Sequence, residues 1–95
     1  MTFEEFKASL QQDHPPENSP ALLEAMWWDK KDAWHQAHDI AQDIDTNEGA
    51  WVHAYLHRKE GDPGNAAYWY RRAGKNVFHG TLEEEWDQLV RSFLQ

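Results

Sequence analysis

Ninety-five residues suffice for one domain, and a formal net charge of −8 argues against a nucleic-acid partner, because phosphate contacts need a positive field. The absence of cysteine excludes disulfides, thiolate metal sites and a cysteine nucleophile. The opening MTFEEFKASL is acidic and lacks an apolar h-region, and no apolar run approaches the ~18 residues of a membrane span. The expectation is a cytoplasmic chain, residues 1–95 forming a single helical domain, with no membrane contact.

Six Trp, four Phe and three Tyr set the scale of the core. Burying one large aromatic removes about 150–250 Å² from water, worth several kcal/mol at about 25 cal/mol per Å². Net stability of such a domain is about 5–15 kcal/mol, so most of these rings are expected to be structural.

The punctuation predicts an all-α fold of about five helices. Thr2 and Glu5 form a capping box ahead of Phe3, Phe6 and Leu10. DHPPENSP breaks the chain, and Ser19 with Pro20 reads as an N-cap and first helical residue. Leu22, Leu23, Met26 and Trp27 form the next apolar face, with Trp28 beside it as a core residue or an interface anchor. Lys31-Asp32 turns into a helix carrying Trp34, Ala37, Ile40, Ala41 and Ile44. Asp45 or Thr46 caps the next, with Trp51, Val52, Tyr55 and Leu56, and Gly61 suits its left-handed C′ position. Asp62 and Pro63 start another helix and Gly74 ends it. Thr81 and Glu84 form a second box before Leu82, Trp86, Leu89, Val90 and Phe93. Glu83, Glu84 and Glu85 fall in that first turn, where they read as a solvated cap complementing the helix dipole.

A shift of 29 residues superimposes Ala25–Ile44 on Ala54–Ala73. Ala25 meets Ala54, Lys30 meets Lys59, Ala37 meets Ala66, and the turn residue Gly61 meets Asp32. This is the pattern of two stacked helix-turn-helix repeats with flanking capping helices, in which small residues admit close backbones and large ones fill the grooves. Gly61-Asp62 followed by Ala66, Tyr70 and Ala73 resembles the second half of a tetratricopeptide repeat. AAYWYRRAG is similar to the second helix of Sel1-like repeats, the likeness running from Ala25 to Gly74. The resemblance implies stacked helical pairs. The longer string WVHAYLHRKEGD…NAAYWYRRAG also resembles a group of small conserved proteins of no assigned activity, which implies no chemistry.

Two constellations carry chemistry. His35 and His38 lie three apart on one expected helix, His53 and His57 four apart on the next. Both spacings put the rings on one side of a helix. Packed together, the four imidazoles offer ligands to Zn, Cu, Ni or Fe, with Asp39 or Glu60 completing the shell. A helical wheel places His53 and His57 opposite the stripe of Trp51, Val52, Tyr55 and Leu56, which favours hydrogen-bonded or partly exposed histidines over ligands. The second constellation is basic and aromatic. From Arg58 to Lys75 five basic residues face only Glu60 and Asp62, a local balance of +3. Arg58, Tyr68, Arg71, Arg72 and Lys75 then read as a binding face for an acidic or carboxylate-bearing ligand. The opposing reading is helix-end electrostatics, with the acidic run at 83–87 folding back to neutralise the patch.

No G-x-S-x-G, phosphate-binding glycine loop or dinucleotide fingerprint is present. The expectation is therefore a non-catalytic interaction protein without a cofactor, whose partner is a protein or peptide or a second copy of itself. A metal-binding or metal-dependent enzyme, with Zn as the typical ion, is the alternative.

Overall fold

Both capping boxes form. Thr2 Oγ1 accepts the Glu5 amide at 3.0 Å while Glu5 accepts the Thr2 amide at 2.8 Å. They open α1, Phe3–Ala8, which a 3-10 turn, Ser9–Gln11, continues. Thr81 and Glu84 repeat the exchange at 3.0 and 2.8 Å and open α6, Leu82–Leu94. The computed structural model describes residues 1–95, and between these ends lie α2 (Ala21–Lys30), α3 (Trp34–Gln42), α4 (Asn47–Lys59) and α5 (Pro63–Ala73), with no strand. The fold is all-helical, with six helices rather than about five, because each start signal opens a helix of its own.

The turns follow residue chemistry. Thr46 caps α4 by accepting the Gly49 amide at 3.0 Å, and Asp62 caps α5 through the Asn65 amide at 3.2 Å. Asp32 and Gly61 carry the left-handed backbone that ends α2 and α4, with φ of 62° and 89°. Ser19 does not cap α2: its hydroxyl donates to the Pro16 carbonyl at 2.7 Å, and Pro20 takes the cap position. At Gly49 a Cβ would strike the Ile44 carbonyl, so only glycine lets α4 start so close to the end of α3.

α4 is the central helix. Every residue from Gly49 to His57 is buried. Its apolar stripe faces the core, and the opposite flank is covered as well, because α3 and α5 both pack on it. Small residues allow this: Ala37 and Ala41 of α3, Ala54 of α4, and Ala66 and Ala73 of α5 are all buried. α2 packs on α3, and α6 crosses α2 and α4. Trp86 ties α6 to α2 by donating its indole N–H to the Met26 carbonyl at 3.0 Å. Trp27 is fully buried and donates to Ser9 Oγ at 3.1 Å, whereas Trp28 is half-buried and its indole nitrogen has no partner.

Two carboxylates sit inside this core. Asp29 accepts the Tyr55 hydroxyl at 2.7 Å and Lys59 Nζ at 2.9 Å. Glu85 accepts the Trp51 indole at 3.1 Å, the Tyr70 hydroxyl at 2.6 Å and Arg58 Nη1 at 2.9 Å. Glu85 is fully buried, which corrects the expectation of a solvated acidic turn: only its neighbours Glu83 and Glu84 remain in solvent. No helix is long and apolar enough to cross a membrane.

Candidate metal centre

His38 on α3 meets His53 and His57 on α4. His53 and His57 are one turn apart, so their rings stack at 4.7 Å and 25°. His38 lies across both, with ring centroids at 4.6 Å from His53 and 5.1 Å from His57. His38 Nε2 and His53 Nε2 are 2.9 Å apart. One ring nitrogen from each of the three lies within 4.8 Å of the others. Tetrahedral zinc at Zn–N distances of about 2.0–2.1 Å places its nitrogens about 3.4 Å apart, inside that range.

Indoles wall the cluster. Trp34 stacks on His38 at 4.9 Å and 16°, and its own N–H is held by the Leu56 carbonyl at 2.8 Å. Trp69 stacks on His53 at 3.9 Å. His53 and His57 are each only 7 % exposed, while His38 is half-buried. The sequence wheel turned His53 and His57 away from the core. The structure buries them because α3 and α5 supply a second wall that one helix cannot reveal.

Hydrogen bonding sets the His57 tautomer. Glu60 Oε1 lies 2.6 Å from His57 Nδ1, and a carboxylate only accepts, so Nδ1 carries the proton. Asn65 Nδ2 reaches His57 Nε2 at 3.5 Å, consistent with a lone pair there. This is the carboxylate–imidazole arrangement that orients metal-ligating histidines. Burial and the neighbouring His38 and His57 lower the His53 pKa to about 4. Burial and then His57 also lower that of His38. Both rings are neutral near pH 7, the state in which imidazole donates a lone pair.

His35 does not join them. It is exposed, edge-on to Trp34 at 5.3 Å, so the four expected imidazoles become three. Asp39 is likewise exposed, and the acidic groups that gather near the site are Glu60 and Asp62, both close to His57.

The basic and aromatic residues meet different partners. Arg58 is committed to Glu85 and to the Gly80 carbonyl, which corrects its reading as a surface ligand: the buried carboxylate outcompetes solvent for its guanidinium. Lys75 lies over the Trp51 ring at 4.2 Å. Arg71 is exposed. Tyr68 is 43 % exposed, and Arg72 reaches its hydroxyl at 3.3 Å and Asp45 Oδ1 at 3.4 Å. Arg72 and Trp69 border a cavity of about 280 Å³ whose wall includes His53, Ala41, Asp45 and Thr46.

Sequence reasoning missed Asp29 and Glu85 as buried hubs, and Trp69 and Asn65 as neighbours of the histidines. The signal for the carboxylates was present: Glu85 lies three after Leu82 and four before Leu89, on the apolar stripe of α6. Comparison with protein-family models, with curated proteins and with solved structures yields no match, so the functional reading rests on this geometry.

Proposed function

We propose that this protein binds one transition-metal ion, zinc or another divalent ion that favours imidazole, through His38, His53 and His57, with Glu60 orienting His57. The observation that carries this is the convergence of three imidazole nitrogens within 4.8 Å of one another, with two of the rings almost fully buried. Neutral imidazoles suit Zn, Cu, Ni and Fe; one of the paired His38 and His53 Nε2 atoms donates to the other, and a bound cation would take the place of that proton, which moves to the ring's Nδ1. The role is binding, and no reaction is assigned.

The test uses untagged protein stripped with chelator. One equivalent of Zn²⁺ should bind and raise the melting temperature, and chelator should reverse both. At a hundredfold excess over Kd the stabilisation is about 2.7 kcal/mol. His53→Ala should remove binding while the protein stays folded by circular dichroism. Absence of stoichiometric metal with no melting shift, or unchanged affinity after His53→Ala, would overturn the proposal.

Two stacked helix-turn-helix repeats over residues 25–74 are part of this reading. Supporting it, Asp32 and Gly61, equivalent under the 29-residue shift, share the left-handed conformation, and the matched Ala37 and Ala66 are both buried. The likeness to tetratricopeptide and Sel1-like repeats supports a second role as an interaction module for a protein, a peptide or another copy of the chain. Tyr68, exposed beside Arg72, favours it. Light scattering of wild type and Tyr68→Ala reads self-association: a dimer that Tyr68→Ala dissociates supports the self-partner form, and a monomer in both rejects it.

A further inference from the structure

The metal reading leaves a coordination position to fill. Zinc and cobalt(II) take four ligands in tetrahedral sites. The cluster supplies three: no further Asp, Glu or His side chain joins His38, His53 and His57. Glu60 and Asp62 group with His57 alone, and Glu60 already accepts from His57 Nδ1. No carboxylate or fourth imidazole fills the remaining position, which leaves it open to a ligand from solution.

We infer, on the strength of that reading, that the fourth position accepts a small exogenous carboxylate, admitted from the cavity between His53 and Arg72. His53 belongs both to the metal cluster and to the cavity wall, so the cavity reaches one of the three ligating rings. Arg72 supplies the anion preference. Its guanidinium side chain is 48 % exposed, and its contacts to Tyr68 and Asp45 are long, at 3.3 and 3.4 Å. Its fork is therefore not engaged bidentately, and a carboxylate is the partner that fits it. Asp45, 93 % exposed at the same rim, is the weakly held carboxylate that an incoming one displaces.

Size limits the ligand further. About 280 Å³ is at the small end of ligand cavities, which run from about 300 to 1,000 Å³. It holds a carboxylate of a few carbons and excludes a helix or a nucleotide. Thr46 Oγ1 is occupied by the Gly49 amide and Trp69 is covered by His53, so recognition rests on the metal and Arg72, with Gln42 and Asn47 as the other polar residues of the wall. On binding, one carboxylate oxygen would replace a water at the fourth position and the Arg72 contact would pass from Asp45 to the ligand, with no covalent bond changed.

The test is a cobalt(II)-loaded protein, whose visible bands report coordination directly. Acetate is the probe. The expected result is a saturable shift of the cobalt bands, and in Arg72→Ala a several-fold higher half-saturation with unchanged cobalt affinity. Cobalt bands that ignore acetate overturn this inference and leave the metal centre standing. An acetate response identical in wild type and Arg72→Ala also overturns it, since the carboxylate would then bypass the cavity. Absence of cobalt bands altogether removes the metal centre and this inference together.

Discussion

Two kinds of polar cluster are buried against α4, and they are built on opposite principles. Glu85 and Asp29 are acceptors met by donors: the first by Trp51, Tyr70 and Arg58, the second by Tyr55 and Lys59. Each pairs a carboxylate with a cation and is electrostatically closed. The histidine cluster brings like to like. His38, His53 and His57 chiefly face one another, and the one carboxylate in contact, Glu60, holds the far nitrogen of His57. A closed cluster is complete as folded and gains nothing from an ion. A cluster of imidazoles held only by a shared proton, with no cation facing it, is the one that an added cation completes.

The sharpest way to break this comparison is Glu85→Ala. It leaves Arg58, Tyr70 and Trp51 without their acceptor, and removing one partner of a buried pair costs about 3–5 kcal/mol. Urea denaturation should show that loss, while the folded fraction still binds zinc through the untouched histidines. A cost under about 1 kcal/mol would place Glu85 with ordinary surface carboxylates and erase the contrast.

The contrast was only partly legible in the sequence, for physical reasons. Helix starts and stops are local chemistry, so Thr2, Asp62, Gly61 and Thr81 read correctly from neighbours within four residues, and Thr46 is one of the two caps, with Asp45, that the sequence offered for α4. Ser19 read wrongly because prolines on both sides gave its hydroxyl a loop carbonyl to bind. The histidines depended on how many sides of α4 are covered. A wheel assumes one buried side; α4 has neighbours all round, so its polar side is buried too. Acidic side chains read as solvated by default, yet Asp29 and Glu85 occupy stripe positions and meet Lys59 and Arg58 across 30 and 27 residues of chain. Only the tertiary pairing makes those positions tolerable for a charge.

Tyr70→Phe sharpens the same comparison more gently. Burial and the bond to Glu85 hold the Tyr70 phenol protonated far above its usual range, so it serves only as a donor. Removing a donor to a charged acceptor costs about 1.5–3 kcal/mol. Tyr55→Phe should fall in the same band through Asp29, for burial and Asp29 raise that phenol as well. Tyr55 also feels the Glu85 and Arg58 charges that act on Tyr70, so the two denaturation free energies should depart from additivity by about 0.5 kcal/mol or more.

The histidine side is read as a pH slope in metal-free protein. His53 has a folded pKa of about 4 against an ordinary value of 6.5, so between those values the unfolded chain binds more protons. Its stabilisation is fully present above pH 6.5 and is lost progressively as pH falls toward 4. His38, also lowered, adds in the same direction. Urea midpoints should therefore decline across that window, and His53→Gln should flatten the decline. An unchanged slope in His53→Gln would show that the cluster is open to solvent rather than closed by α3 and α5.

The smallest effect calibrates the others. Thr81→Ala removes the cap of α6 and should cost about 1 kcal/mol by urea denaturation. Hydrogen bonds from the Thr81 backbone and side chain lower the Glu84 pKa below 4.5. The reciprocal bond is therefore present above the ordinary carboxylate range and lost as pH falls below it. Thr81→Ala should shift the whole stability profile downward at neutral pH and leave the decline from pH 6.5 to 4.5 parallel to wild type, because α6 touches none of the three histidines through this cap. If Thr81→Ala also flattened that decline, the slope would belong to carboxylates in general, and the histidine cluster would lose its separate signature.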